Sequence, residues 1–168
     1  MSLFYQYLQL CWFTNNPTDL HPSNSFLWKS VVFYLISGII VEANISDMAD
    51  GTLEVAMRAI VALSFLSVLV LTHHKRELFS QLMIGVFMCE NVIVTLGIAV
   101  EILDVFVHKT PYREVPLYLG AALILWYIAI LSYIFRQMFY SRLITSLILA
   151  LGYFLMAYGG PFLFMEVL

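Results

Sequence analysis

Residues 78–101 read LFSQLMIGVFMCENVIVTLGIAVE, and apolar side chains make up most of this stretch. A helix needs about 20 mostly apolar residues to cross the hydrocarbon core of a bilayer. A lone strand of the same composition would leave its backbone hydrogen-bonding groups unpaired in lipid. The stretch therefore predicts a transmembrane helix.

The rest of the chain repeats this pattern, and its composition agrees with it. The 168 residues are 62% hydrophobic and 11% charged, whereas soluble domains are about 45–50% apolar and about 25% charged. The net charge of −3 offers no basic surface for phosphates, which argues against a nucleic-acid partner. We predict an all-α, polytopic membrane protein whose single domain, residues 26–168, is a bundle of five transmembrane helices in a lipid bilayer. The predicted spans are 26–45, 55–72, 78–101, 115–135 and 143–164.

Lysine and arginine positions predict the orientation, because cytoplasmic loops carry an excess of these residues. Alternate ends of the predicted helices hold unequal numbers of them. The richer side has Lys29, Lys75, Arg76, Arg136 and Arg142, and the poorer side has Lys109 and Arg113. We therefore predict a multi-pass protein with a cytoplasmic N-terminus and a C-terminus on the far side, in the inner membrane if the protein is bacterial.

The first 25 residues precede every predicted span and lack a basic n-region and a small-residue cleavage site, so we expect no removable signal peptide. Their first half is nearly all apolar or aromatic but too short to cross a bilayer. Tyr5, Tyr7 and Trp12 suit the headgroup layer, where aromatic rings have one wet and one dry edge. We predict a short cytoplasmic interfacial helix that ends at Asn15-Asn16-Pro17. Docking of this helix against the end of the bundle is the alternative.

Three ionisable residues fall inside the predicted spans, where such residues are costly and informative. At 1.5 Å per residue, Glu42, Arg58 and Glu90 lie roughly 24, 21 and 18 Å from the cytoplasmic ends of their spans. All three can therefore meet in one layer. A planar guanidinium can bind two carboxylates, and Asn91 or other donors can share the charge of the second acid.

This polar cluster of Glu42, Arg58, Glu90 and Asn91 has two interpretations. In one, it is a static ion-pair pin that fixes the packing of the first three spans. In the other, its carboxylates form a proton or cation relay. The absence of further charged residues along the second and fourth spans favours the pin.

Small and polar residues are concentrated in residues 78–101. Gly85 and Cys89 are four residues apart, which gives a small face that lets another backbone approach. Glu90 and Asn91 point about 100° apart around a helix, so we expect this span to be central and to contact helices on two sides. We expect Cys11 to face the cytoplasm and Cys89 the membrane interior, so that the two do not pair.

The last span contains Gly159-Gly160-Pro161. Proline removes a backbone donor, and the two glycines weaken the turn before it. We predict a kink or break near the outer surface, after which the chain caps the bundle or follows the interface.

Residues that could carry chemistry are sparse. The chain has no glycine-rich phosphate loop, no Ser-His-Asp set and no H-E-x-x-H motif. His73 and His74 are adjacent and point apart, and no third ligand is near them in sequence. We predict no catalytic residues, no metal site and no cofactor.

The layout of a short N-terminal region with Pro17 and Pro22 before five closely spaced spans resembles the Yip family of small five-span membrane proteins. The aspartate-leucine-tyrosine-glycine-proline signature of eukaryotic members is absent here. The resemblance implies a role in membrane organisation or trafficking through protein partners. We therefore expect a non-enzymatic scaffold or accessory subunit that contacts another membrane protein or itself. The alternative is a small transporter or proton-coupled channel that uses the intramembrane carboxylates.

Overall fold

The computed structural model describes residues 3–45 and 47–167, and these residues form an all-α structure without strands. Seven α-helices follow one another along the described chain. They are α1 (Leu3–Leu8), α2 (Asn24–Ile45), α3 (Met48–Thr72), α4 (Phe79–Val107), α5 (Val115–Phe139), α6 (Leu143–Phe154) and α7 (Gly160–Val167). Short 3₁₀ helices occupy Gln9–Trp12, Pro17–Asp19 and Arg76–Leu78, and a π-helical turn, Leu155–Gly159, joins α6 to α7.

Four helical stretches are long and apolar enough to cross a membrane. They agree with the first four predicted spans and are Asn24–Glu42, Met48–Thr72, Arg76–Val107 and Val115–Phe139. The apolar helix Leu143–Gly159 is shorter than these four. The described structure is therefore a helical bundle with the character of a membrane protein.

The helix ends differ from the predicted spans where charged residues interrupt the apolar pattern. α3 begins at Met48 rather than near residue 55, so Asp50 and Gly51 lie in its first turn instead of in a loop. An acidic residue in this place is favourable, because the N-terminal end of a helix carries partial positive charge. α4 likewise continues beyond Glu101 to Val107. Helices persist past the apolar stretch because their backbone hydrogen bonds do not require apolar side chains.

α4 is the centre of the bundle. Every residue from Gln81 to Asn91 is buried, so this part of the helix has no exposed face. Its neighbours are α2, α3 and α5, together with the first residues of the chain. The outer surfaces of the surrounding helices are apolar, which suits a lipid environment. Examples are Phe33 on α2, Ile60 on α3, Leu125 on α5 and Ile148 on α6.

Residues 3–20, here called the N-terminal segment, are docked against α4 and α5. Tyr7, Leu10 and Cys11 are fully buried. The indole nitrogen of Trp126 donates a hydrogen bond to the carbonyl oxygen of Cys11 at 3.1 Å, and the Tyr133 hydroxyl donates one to the carbonyl oxygen of Asn15 at 3.0 Å. The N-terminal segment is therefore docked against the bundle, as the alternative prediction had it. Its outer face is aromatic and exposed. That face comprises Phe4, Tyr5, Trp12 and Phe13.

The end of the N-terminal segment is held by a side chain of the central helix. The Gln81 amide nitrogen donates hydrogen bonds to the carbonyl oxygens of Thr18 and Leu20. The Tyr7 hydroxyl donates to the carbonyl oxygen of His21 at 3.2 Å, and burial raises the pKa of Tyr7 to about 12. The Tyr7 phenol therefore stays protonated and acts as a donor. Hydrogen bonds of Tyr7 and Gln81 thus hold the N-terminal segment near its start and at its end.

Candidate functional site: a polar layer inside the bundle

Arg58 is held between two carboxylates where α2 and α3 pack closely. One guanidinium nitrogen lies 2.6 Å from Glu42 Oε1 on α2, and the other lies 2.5 Å from Glu54 Oε1, one turn earlier on α3. The three side chains are 19%, 12% and 14% exposed. Because these groups are largely desolvated, each charge depends on its partner.

The close approach of α2 and α3 has a sequence origin. Gly38 is one turn before Glu42, and Val55 is one turn before Arg58. A Cβ atom on Gly38 would lie 3.0 Å from a methyl carbon of Val55. Glycine thus lets the two backbones come close, and the long Arg58 side chain reaches Glu42 across this contact.

The predicted set of Glu42, Arg58 and Glu90 is only partly brought together. Glu42 and Arg58 form an ion pair, but the second carboxylate on Arg58 belongs to Glu54. The predicted second span began at residue 55 and so excluded Glu54, which hid the i, i+4 spacing of Glu54 to Arg58. Because α3 begins at Met48, Glu54 lies on a helix and on the same face as Arg58.

Glu90 is bound by tyrosines rather than by arginine. Its side chain on α4 is 1% exposed. The Tyr158 hydroxyl donates a hydrogen bond to Glu90 Oε1 at 2.6 Å, and the Tyr153 hydroxyl donates one to Oε2 at 3.4 Å. No ion pair to Glu90 is found among residues 3–45 and 47–167. The buried carboxyl group is therefore held by neutral donors from the last helical stretch.

Glu42, Glu54, Arg58 and Glu90 form the polar layer of the bundle, and Tyr158 connects Arg58 to Glu90 within it. Its ring lies 5.1 Å from the Arg58 guanidinium carbon, within the range of a cation–π contact. Its hydroxyl is bonded to Glu90. One side chain thus joins the ion-paired residues of α2 and α3 to the buried acid of α4. Sequence reasoning missed this residue because the chain has 10 tyrosines and nothing in their spacing singles one out.

The predicted break at Gly159-Gly160-Pro161 takes the form of a π turn. Leu155–Gly159 is π-helical, and the helix resumes as α7 at Gly160. In an α-helix the Pro161 ring would collide with the carbonyl of the residue four positions earlier. The wider turn relieves that conflict without ending the helix. Hydrogen bonds between residues five apart also bring Tyr153 and Tyr158, five apart in sequence, to the same carboxyl group.

Asn91 joins α4 to α2. Its amide nitrogen donates a hydrogen bond to the carbonyl oxygen of Ser30 at 3.1 Å. Its amide oxygen is buried and has no hydrogen-bond partner in the described ranges. Glu90 and Asn91 are therefore directed toward different helices, as their angular separation on a central helix requires.

The small face of Gly85 and Cys89 receives the N-terminal segment, with Ile134 of α5 also close to Gly85. A Cβ atom on Gly85 would lie 3.3 Å from a terminal methyl of Leu10. The Cys11 thiol donates to the Cys89 sulfur at 3.3 Å, and both side chains are fully buried. Our expectation that the two cysteines lie apart is wrong. It assumed that the N-terminal segment lies away from α4, whereas the segment packs against this helix.

A cavity of about 160 Å³ adjoins the polar layer between α2, α3 and α4. Its polar lining is formed by Tyr34, Glu42, Arg58, Glu101 and Tyr158. In the part of the chain that the structure describes, no group of three or more histidine, cysteine, aspartate or glutamate residues is arranged to hold a metal ion. Water or a small polar solute is the kind of occupant that this lining suits.

No family model, no curated protein and no solved structure matches this chain. The functional argument therefore rests on the geometry described above.

Proposed function

We propose that this chain is a non-enzymatic integral membrane protein that acts as a scaffold or accessory subunit through helix–helix contacts in the bilayer. In this proposal its polar layer is a static pin. The arrangement of charges around Arg58 carries the argument, since both of its terminal nitrogens are bound by carboxylates of the same bundle. Charges that satisfy one another hold helices in place and leave the outer surface for a partner.

The proposal includes five membrane crossings, with the N-terminus in the cytoplasm and the C-terminus on the far side. The fifth crossing would be the continuous helical stretch from Leu143 to Val167. At 1.5 Å per residue this stretch is about 37 Å long, enough for the hydrocarbon core of about 30 Å. An odd number of crossings places the two ends on opposite sides.

Lys75, Arg76, Arg136 and Arg142 lie at one end of the bundle, here called the basic end. The buried side chains between the polar layer and this end support a static pin over a proton relay. On α3 the buried residues below Arg58 include Ala62, Leu66 and Leu69, and on α4 the residues below Glu90 include Phe87 and Ile84. Among the described residues, Glu90 is the one charged side chain that is buried, and the buried polar side chains of Gln81, Ser132 and Ser146 form their hydrogen bonds elsewhere. A proton path would need a continuous series of polar groups or water along this interior.

The resemblance to the Yip family belongs to the same proposal. Members of that family act through protein partners in membrane organisation or trafficking, and a scaffold of this kind needs an outer surface that another membrane protein can contact. The exposed apolar faces of α2, α3, α5 and α6 are available for such contacts.

Photo-cross-linking in native membranes tests the proposal. A photoreactive amino acid is placed singly at Ile36, Ile60, Leu125 or Ile148, which are exposed on four different helices. The fully buried Leu131 serves as the matched internal control. We expect adducts of one defined mass from one face only, from either another membrane protein or a second copy. Exclusively lipid adducts at every exposed position would contradict the proposal.

A proton-coupled transporter or channel is the second candidate, and the cavity beside the polar layer favours it. Glu42, Arg58 and Glu101 border the cavity, and Tyr158 links it to the buried Glu90. A carboxyl group hydrogen-bonded to phenols beside a polar cavity is a suitable proton-accepting group. Proton flux is measured in vesicles that contain the purified chain. Flux that is lost in Glu90→Gln and kept in Glu114→Gln, at an exposed position, would favour this candidate.

A further inference from the structure

An apolar groove runs along the outside of the bundle, separate from the polar layer. It is formed by α1, α2 and α4 and has a volume of about 390 Å³. Phe4 lies at its α1 wall, Phe33 on α2 and Leu96 on α4. Its walls are apolar except at a few positions, of which Lys29 and Asn91 matter most. The groove is therefore suited to a flexible hydrocarbon.

Lys29 gives the groove a charged end. Its side chain is exposed and lines the groove, and no described carboxylate lies within ion-pair distance of its ammonium group. Lys29 is five residues after the start of α2, or about 8 Å along the helix axis. A lysine at this depth can extend along the helix so that its charge reaches the headgroup layer.

Asn91 contributes a second polar feature at the wall. Its amide nitrogen is bonded to Ser30, another groove residue, and this bond fixes the orientation of the amide. Its oxygen is left buried and without a hydrogen-bond partner in the described ranges. The side chain is only 6% exposed.

The length of the groove suits one acyl chain. The groove follows α4 from Met88 to Leu96, a length of about 12 Å. A single acyl chain is narrow and flexible enough to lie along an apolar groove of this length.

We propose that this groove binds one acyl chain of an anionic phospholipid whose phosphate pairs with Lys29. Basic pockets between transmembrane helices commonly bind acidic lipid headgroups on the cytoplasmic side. The chain would follow the groove from Lys29 toward Phe33 and Leu96, and α1 would close one side of it. This site does not depend on the proposed protein partner, because it needs only the described groove and a bilayer.

Lipid titration of the full chain in a neutral detergent tests the site. Phosphatidylglycerol and phosphatidylcholine with identical acyl chains are added, and bound lipid is counted by native mass spectrometry. One lysine near an anionic headgroup predicts about fivefold tighter binding of phosphatidylglycerol. Lys29→Gln should remove that preference. Lys75→Gln, which removes a cation outside the groove, should leave it unchanged.

A second pair of variants tests the groove itself. Thr95→Trp fills the groove from α4, whereas Ile102→Trp places the same ring on an exposed position of α4 outside it. We expect Thr95→Trp to weaken binding of both lipids, and Ile102→Trp to leave binding unchanged, with equal thermal stability of the two variants. Equal affinity for the two lipids in the unmodified chain would overturn the proposal. So would a preference that survives Lys29→Gln, or a dimer that excludes lipid from the groove.

Discussion

Removal of the Arg58 side chain should destabilise the bundle strongly. Arg58→Ala leaves the carboxylates of Glu42 and Glu54 without their cation, although they are only 12% and 14% exposed. Removing one partner of a buried ion pair costs about 3–5 kcal/mol. For a chain of this size, such a loss corresponds to a fall of about 6–20 °C in Tm on the scale of soluble domains.

Compensating substitutions identify which acids bind the arginine. Replacing Arg58 with Met, and both Glu42 and Glu54 with Leu, removes all three charges and fills the space with apolar atoms. Such replacements are often neutral or stabilising for buried ion pairs. We expect this triple variant to recover most of the lost stability. Adding Glu90→Gln to Arg58→Ala should recover little, because Glu90 is held by tyrosines.

The differences in stability are measured by thermal unfolding of the purified variants in one detergent. Unfolding is followed by circular dichroism and by size-exclusion of the heated samples. The exposed Arg113 provides the matched control, since Arg113→Ala removes the same side chain from a loop. An Arg58→Ala variant as stable as Arg113→Ala would refute the pin. Rescue by Glu90→Gln instead of by the triple replacement would show that the wrong carboxylate has been assigned.

Three further changes probe individual contacts, the first two by the same unfolding measurement and the third by proteolysis. Tyr158→Phe should cost about 1–3 kcal/mol, because Glu90 loses its shorter hydrogen bond, whereas Tyr118→Phe at an exposed position should have little effect. Gly38→Ala should destabilise by about 1–3 kcal/mol through crowding of α3, whereas Gly97→Ala, with open space around it, should stabilise by up to about 1 kcal/mol. Gly85→Val should displace the N-terminal segment, and protease cleavage within that segment should become faster. Unchanged cleavage would contradict its docking.

The long helices could be predicted from sequence because apolar length is a local property. α2 and α5 begin within two residues of their predicted starts, since hydropathy changes sharply there. The start of α3 and the end of α4 were missed because a helix can continue through charged residues once it leaves the apolar layer. The sequence also predicted that Glu42 and Arg58 can meet, and their side chains form an ion pair.

The remaining features depend on tertiary contacts that no local pattern specifies. Glu54 was overlooked because the start of α3 was set too late. The Tyr158 contact to Glu90 depends on a π turn, which changes the angular position of every following residue. The contact between the free thiols of Cys11 and Cys89 depends on packing of the N-terminal segment against α4. Composition alone does not distinguish that packing from a helix on the membrane surface.

Proton flux measured in vesicles that contain the purified chain tests the static pin most directly. A parallel sample is treated with diamide, which oxidises Cys11 and Cys89 to a disulfide when the two thiols are in contact. Formation of this disulfide verifies that the reconstituted protein has the described packing, because the two sulfurs lie 3.3 Å apart. The account predicts that flux under a pH gradient equals that of empty vesicles, and that Glu90→Gln leaves it unchanged. Flux well above that of empty vesicles, abolished by Glu90→Gln in correctly packed protein, would contradict the account.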